Sequence, residues 1–154
     1  MTDLAAAIGS QQLRKVERFR QKRECMVRKY DEAFMASCVR PPQHAPTGDL
    51  HAWHLYVLRL ADDAPVSRNQ FIDEMSRAKI GTSVHFIPLH MQPYWREKYG
   101  LRCEAFPVAT KAFEQAVSLP LYTRMTEHEQ DRVIETAQAL LTGVRHPELH
   151  PVTR

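Results

Sequence analysis

The sequence predicts an α/β (α+β) domain in which a small three-stranded sheet is covered by helices and preceded by a long N-terminal helix. The predicted order is long helix, strand, helix, strand, short helices, strand, helix, which is typical of layered mixed folds. The length of 154 residues suits one domain, since domains usually have about 100–200 residues. Apolar residues make up 44% of the chain and charged residues 25%, as in ordinary globular proteins.

Residues 1–40 form the first predicted unit, a long helical segment. Thr2 is placed to cap its N-terminus, and Asp3 suits the positive end of the helix dipole. Gly9-Ser10 allows either a bend or an unbroken helix. Further on, apolar residues recur at helical spacing, which predicts one buried face: Leu13, Val16, Phe19, Met26, Tyr30 and Phe34. The helix is expected to stop before Pro41, because residues that precede proline disfavour helical geometry.

Residues 41–143 form the second predicted unit, a small α/β domain. Its first strand is predicted at 51–60, and its largely apolar faces place it at the centre of the sheet. Ser67 and Gln70 have capping-box spacing and open a helix, for which Gly81 is the predicted C′ residue. Residues 82–88 are predicted to form a second short strand.

Turn and cap residues divide the rest of this unit. A short helix is predicted from Pro93 to Tyr99, ending at Gly100, and another begins at Pro107 and extends to about residue 115. The third strand is predicted at 116–120. A capping box at Thr126 then opens a helix that Gly143 closes, with these apolar residues inward: Val133, Ile134, Ala137, Leu140 and Leu141. The third unit, 144–154, carries two prolines and is predicted to be a loose tail.

Composition argues against several classes of protein. No apolar run approaches the ~20 residues of a membrane span, and no signal-peptide pattern opens the chain. Three cysteines without a CxxC pair favour a reducing, cytoplasmic location. Residues 1–40 hold nine basic and five acidic residues, yet the acidic ones interrupt the basic face and Glu24 stands four residues before Arg28. This pattern favours an ion-paired helix surface over a nucleic-acid interface.

Two short patterns raise catalytic alternatives. Ser76 and Lys79 match S-x-x-K, but no partner motif of acyl-serine enzymes follows, so a lysine at a helix end is the favoured interpretation. Four histidines and one cysteine could gather as metal ligands: His51, His54, His85, His90 and Cys103. A zinc site needs three or four converging ligands, and their spacing on predicted strands disfavours this. A polar pocket built partly from His85 and His90 is preferred.

Several longer motifs resemble one family. They are Met1–Gly9 with Gln12-Leu13, Trp53–Val57, Ile80–His90 with Pro93-Tyr94, Phe106-Pro107, and Ser118–Leu121. Together they are similar in sequence and order to the DegT/DnrJ/EryC1/StrS aminotransferases, over about residues 1–142. The resemblance implies the small C-terminal domain of a fold-type-I, pyridoxal-phosphate-dependent enzyme. Most members transfer an amino group to a keto-sugar carried on a nucleotide.

The same resemblance implies what this chain does not supply. In the family, the lysine that forms the aldimine and a cofactor-contacting Asn-x-Arg lie before the motif that begins at Met1. None of the six lysines stands in a similar stretch. Because the cofactor's chemistry needs that lysine, the chain is interpreted as a truncated domain, inactive and without bound cofactor on its own. The alternative is a stand-alone, non-catalytic binding or interaction module with the same fold.

The resemblance also implies substrate-binding residues. The family positions that line the substrate side of the active site map to His85, Phe86 and His90, with Tyr94 nearby, and Phe86 replaces a common tyrosine. We expect His85 and His90 near a surface concavity, outside the core, where they bind sugar hydroxyls or a diphosphate. The expected partners are a nucleotide sugar and a second copy of the chain, through exposed apolar residues such as Leu4. No nucleic acid, membrane or metal is expected.

Overall fold

The computed structural model describes residues 1–143; the predicted loose tail lies outside them. Within the described residues there are six α-helices: α1 (Asp3–Leu13), α2 (Val16–Phe34), α3 (Arg68–Arg77), α4 (Pro93–Tyr99), α5 (Pro107–Gln115) and α6 (Glu127–Thr142). Three strands form one sheet: β1 (Val39–Arg40), β2 (Tyr56–Leu60) and β3 (Ala116–Leu119). Two 3₁₀ turns, Leu89–Met91 and Cys103–Ala105, flank α4. The predicted fold class is confirmed.

Three helices begin where the sequence predicts a cap. The Thr2 side chain accepts a hydrogen bond from the Ala5 amide. Reciprocal capping boxes are present at Ser67 with Gln70 and at Thr126 with Glu129. Each cap satisfies amides that have no partner inside the helix.

The glycines predicted to end helices are right in two cases and wrong in one. Gly100 and Gly143 end α4 and α6 with left-handed φ angles of 62° and 71°. Gly81 was predicted to end α3 in the same way, but α3 stops at Arg77, and Lys79 adopts the left-handed geometry with φ 60°. The β carbon of a lysine makes that geometry costly.

The first predicted unit contains two helices. The chain passes Gly9-Ser10 without a break and interrupts the helix at Arg14-Lys15 instead. No residue of α1 is buried, whereas α2 buries Met26, Val27, Tyr30 and Phe34. The second half of α2 therefore belongs to the same core as the sheet, and the boundary at residue 40 remains a prediction.

The sheet has the predicted number of strands but not the predicted members. Its order is β1-β2-β3, and both pairs are antiparallel. As expected, β2 is central, although it starts at residue 56 rather than 51, because Trp53 turns the chain with a positive φ of 47°. The strand predicted at 82–88 is wrong: only Ser83 pairs there, as a bridge to Ser118. The third strand is β1, in a stretch that we predicted to be helical.

The core lies between the sheet and helices α2, α3 and α6. Tyr56, Leu58 and Leu60 of β2 are buried at alternate positions, as one face of a strand requires. The ring of Tyr56 lies 4.8 Å from that of Tyr30 on α2. All five residues predicted to face inward from α6 are buried.

Polar side chains join α2 to the elements around it. The Gln130 and Gln138 amides donate to backbone carbonyls of α2 over 2.7 Å and 2.8 Å, and the Tyr30 hydroxyl donates to the Pro120 carbonyl over 2.8 Å. Burial raises the pKa of Tyr30 far above its ordinary value. In the described part of the chain, no helix is both long and apolar enough to cross a bilayer.

Candidate functional site

His85 lies where the segment after α3 contacts the sheet. The Ser83 and Ser118 backbones exchange two hydrogen bonds, of 3.2 Å and 2.8 Å. Two residues later, His85 Nε2 lies 2.7 Å from Ser118 Oγ. Ser118 is buried and His85 is half-buried. This contact fixes the ring through one nitrogen and leaves Nδ1 for another partner.

His90 is part of the domain's interior, so the expectation of a surface position is wrong for this residue. Only 5% of His90 is exposed, and its Nε2 lies 2.9 Å from Thr110 Oγ1 on α5. The Thr110 hydroxyl donates its own proton to the Cys103 carbonyl over 3.2 Å, so it must accept from the His90 Nε2–H. The His90 ring also stacks on Phe106, with 4.7 Å between centroids. This network anchors the 3₁₀ turn that leads into α4.

Phe86 and Tyr94 lie on the surface. Phe86 is 93% exposed and Tyr94 is 60% exposed. The Tyr94 hydroxyl accepts a hydrogen bond from Lys98 Nζ over 2.9 Å. The four predicted site residues therefore lie in one continuous segment. The two histidines are hydrogen-bonded to the rest of the domain, whereas Phe86 and Tyr94 project outward. No hydrogen bond or ring stacking within residues 1–143 joins any of the four to another.

The exposed aromatic surface extends along α4 beyond the predicted residues. The rings of Trp95 and Tyr99 are stacked with centroids 5.6 Å apart, and the Lys98 ammonium lies over both Tyr94 and Tyr99. Sequence analysis missed Trp95, Lys98 and Tyr99. Their i,i+3 and i,i+4 spacing on a short helix was the available signal.

A second cluster that sequence analysis missed surrounds Asp31. One carboxylate oxygen accepts from the Tyr56 hydroxyl over 2.8 Å, and the other lies 2.7 Å from His44 Nε2. Burial, with the Asp31 carboxylate as a second cause, raises the pKa of Tyr56 far above its ordinary value. Trp53 is buried between His44 and His51, and its amide donates to His51 Nδ1. This cluster closes the loop before β2 onto α2.

The remaining histidine and lysine alternatives find no support in the geometry. Among residues 1–143, no three histidine, cysteine or acidic side chains converge as a metal site. His54 is exposed. Ser76, near the end of α3, and Lys79, just after it, are also exposed.

The basic face of α2 is ion-paired as predicted. Glu24 lies 2.6 Å from Arg20 and 2.8 Å from Arg28, and the hydrogen bonds to these two arginines, with that to Arg20 the larger cause, lower the pKa of Glu24. Lys29 lies 2.6 Å from Asp131 on α6. These pairs engage Arg20, Arg28 and Lys29 with carboxylates.

The residues of this chain do not fit pyridoxal phosphate. A Schiff-base lysine needs an enclosed pocket in which its amine is activated, but none of the six lysines is buried: Lys15, Lys22, Lys29, Lys79, Lys98 and Lys111. Lys29 and Lys111 are held by carboxylates, and Lys98 is held by Tyr94. No step through the cofactor can be built on this chain alone.

Comparison with known proteins identifies a family. The model of the DegT/DnrJ/EryC1/StrS aminotransferase family matches residues 1–138. The uncharacterized protein MJ1066 of Methanocaldococcus jannaschii is 40% identical over 150 residues, which is 94% of this chain and 38% of the relative. The spore coat polysaccharide biosynthesis protein SpsC of Bacillus subtilis is 37% identical over 147 residues, which is 93% of this chain and 37% of the relative.

Solved structures show the same partial correspondence. Spr1654 from Streptococcus pneumoniae, which carries the name of a sugar aminotransferase, matches with a TM-score of 0.84 and 31% identity. The match covers 93% of this chain and 36% of Spr1654. Spr1654 has also been solved in forms with pyridoxal phosphate and pyridoxamine phosphate. The chain therefore spans little more than a third of the length of these relatives.

Proposed function

Because the chain belongs to the DegT/DnrJ/EryC1/StrS aminotransferase family, we propose that it is the C-terminal domain of an aminotransferase acting on nucleotide-linked keto-sugars. The observation that carries the proposal is the match to Spr1654 at a TM-score of 0.84 over 36% of that protein. The name of SpsC, a polysaccharide biosynthesis protein, supports a sugar substrate.

Within that function, the segment from His85 to Tyr94 is the substrate-facing part of the domain. Nδ1 of His85 is available for a hydrogen bond to the sugar or the diphosphate, because Ser118 holds only Nε2. Phe86 and Tyr94 supply exposed aromatic surface. His90 does not contact the substrate. It contacts Thr110 and Phe106 and so fixes the turn between Phe86 and Tyr94.

The chain does not carry out transamination by itself under this proposal. Its lysines lie on the surface or are paired with neighbours, and the aldimine needs a lysine in a cofactor pocket. The family's remaining segment supplies that pocket and the cofactor. The chain contributes binding and orientation of the substrate, which lower the entropic part of the barrier.

A chimera tests this proposal directly. In Spr1654, the stretch that matches this chain would be replaced by residues 1–143, and amino transfer from glutamate to nucleotide keto-sugars would be measured. We expect turnover by the chimera and none by the isolated chain or by Spr1654 without the stretch. A borohydride-trappable adduct on one lysine of the isolated chain, with turnover, would contradict the proposal. A folded chimera that binds cofactor but does not turn over would favour the stand-alone binding module.

The chimera also tests the individual residues. His85→Ala should lower kcat/KM for the nucleotide sugar. The corresponding loss of transition-state binding free energy is about 0.5–1.5 kcal/mol if the contact is a neutral hydrogen bond, and about 1.5–3 kcal/mol if it is to the diphosphate. The half-reaction with glutamate should change less, because glutamate does not fill the sugar site. Arg77→Ala, at the exposed end of α3, is the matched control and should change neither.

The first helix provides the proposed contact with the rest of the enzyme. Leu4 and Ile8, one helical turn apart, are 73% and 55% exposed, and no residue of α1 is buried. Exposed apolar patches of this kind mark protein interfaces. In the isolated chain the same patch should drive self-association, which sedimentation velocity would detect.

A matched pair of variants tests the role of this patch. Ile8→Lys should shift the isolated chain toward monomer, while Ser10→Lys, which adds the same charge on another side of α1, should not. A clean monomer of the unmodified chain at high concentration would contradict the prediction.

A further inference from the structure

A cleft separate from the predicted substrate segment opens beside α5. Its volume is about 680 Å³, within the ~300–1,000 Å³ typical of small-molecule sites. The end of β2, the start of α3 and one side of α5 contribute most of its lining. Apolar side chains such as Leu60 and Val66 are combined there with charged ones, a mixture that suits a small ligand with one ionic group.

Arg68 is the unusual residue of this cleft. Its guanidinium lies over the ring of Phe113 at 4.9 Å, and its Nε is buried without a hydrogen-bond partner among the described residues. A buried donor without an acceptor is costly. Burial accordingly lowers the pKa of Arg68, and nearby Glu114 only opposes that shift. The guanidinium is thus positioned by an aromatic ring, and no carboxylate within residues 1–143 forms an ion pair with it.

The other cation of the cleft is already neutralised. Lys111 Nζ lies 2.5 Å from Asp62 Oδ2, and the Gln115 amide donates to Asp62 Oδ1 over 2.8 Å. The hydrogen bond from Lys111 is the main cause that lowers the pKa of Asp62. Both oxygens of Asp62 thus accept hydrogen bonds from α5, and within residues 1–143 no ion pair joins this carboxylate to Arg68.

The position of Arg68 adds a second attraction for an anion. Arg68 is the first residue of α3, directly after the Ser67 cap, where backbone amides and the helix dipole favour negative charge. Glu104 and Glu114 also line the cleft, and their charge disfavours a highly charged ligand. A single planar or tetrahedral oxyanion matches a guanidinium well.

We propose that this cleft binds a small organic oxyanion, a carboxylate or a phosphate ester, through Arg68 and the N-terminus of α3. The site is independent of the sugar substrate and of the aminotransferase reaction. Thr110 lines the same cleft and accepts the His90 hydrogen bond. Occupancy will therefore be visible at the His90 ring as well as at the cleft itself.

The test is a titration of the isolated chain followed by NMR. Inorganic phosphate and malonate would be added in separate series at constant ionic strength, with sodium chloride as the blank. We expect saturable shifts at the Arg68 and Thr110 amides and at the His90 ring. The series with the lower Kd identifies phosphate or carboxylate as the preferred group. Shifts that follow ionic strength alone, in both series, would overturn the proposal.

Two variants of α3 separate a site from general charge attraction. Arg68→Met should raise the Kd about tenfold, which corresponds to about 1.4 kcal/mol. Arg77→Met also removes one positive charge, from the other end of the same helix, where Arg77 pairs with Glu74, and should leave the Kd within about twofold, or ~0.4 kcal/mol. Equal weakening by both would overturn the proposal. Arg68→Lys keeps the charge but loses the fork geometry, and should bind measurably more weakly even if Arg68→Met does not fold.

Discussion

Replacing His90 with alanine should destabilise the domain by about 1–3 kcal/mol. The hydrogen bond from Nε2 to Thr110, at 2.9 Å, accounts for about 0.5–1.5 kcal/mol of this loss. The stacked contact with Phe106, at 4.7 Å, accounts for a further ~0.5–1.5 kcal/mol. The side chain is 5% exposed, so water replaces neither contact in the folded state.

Urea unfolding followed by far-UV circular dichroism measures this loss. Urea slopes for small proteins are about 1–3 kcal/mol/M, so a loss of ~2 kcal/mol should lower the midpoint by roughly 1 M. Tyr94→Phe removes a hydroxyl from an exposed residue of the same segment and should stay within about 0.5 kcal/mol of the unmodified chain. It controls for general disturbance of residues 84–99.

A double-mutant cycle assigns the hydrogen bond. Thr110→Val removes the acceptor. The free energy of unfolding lost by the double variant should be smaller than the sum of the two single losses by about 0.5–1.5 kcal/mol. If His90→Ala costs less than ~0.5 kcal/mol, the buried network contributes nothing to folding. The reasoning that places His90 behind the site rather than in it would then be refuted.

The structure also gives the direction in which three further substitutions change the free energy of unfolding. Lys79→Gly should raise the free energy of unfolding by about 1 kcal/mol in a urea titration, because glycine relieves the left-handed φ of 60°. Thr126→Ala should lower it by about 0.5–2 kcal/mol, since it removes the capping box with Glu129. The raised pKa of Tyr56 means that its contribution is complete below pH ~10 and falls above it by about 1.4 kcal/mol per pH unit. Tyr56→Phe should therefore flatten the alkaline stability profile, and an unchanged slope would contradict this.

Local chemistry was enough to predict where most of the helices begin. The signals are local. Each capping box, at Ser67 and at Thr126, joins residues within one helical turn, and the closing glycines directly follow α4 and α6. The end of α3 was not predicted correctly, because Lys79 adopts the left-handed conformation that a local rule assigns to glycine. The turn at Trp53 was not predicted either. Trp53 is a buried aromatic residue with positive φ, and its contacts with His44 and His51 hold it there.

Sheet membership depended on distant contacts. Val39 and Arg40 form a strand only because they pair with Leu60 and Arg59, and nothing in their own stretch indicates that pairing. Residues 82–88 have strand composition, but only Ser83 reaches the free edge of β3. Composition predicts which residues can pair, while the fold decides which of them find a partner.

The same distinction applies to the candidate site. The resemblance selected the segment that holds His85 and His90, but their separate roles follow from Ser118 and Thr110, which lie 33 and 20 residues away. One histidine keeps a nitrogen available, whereas the other is committed to the interior. Sequence spacing cannot distinguish these states, because both residues belong to one motif.

The exposed apolar side chains of α1 and of the His85 segment lie outside the core. The core is already well formed without α1, with Tyr30, Tyr56 and Phe71 fully buried. Yet Leu4 is 73% exposed and Phe86 is 93% exposed, at positions that the core does not need. Retaining such side chains exposes a free protein to association, and under the proposed function another part of the enzyme and its substrate would cover them.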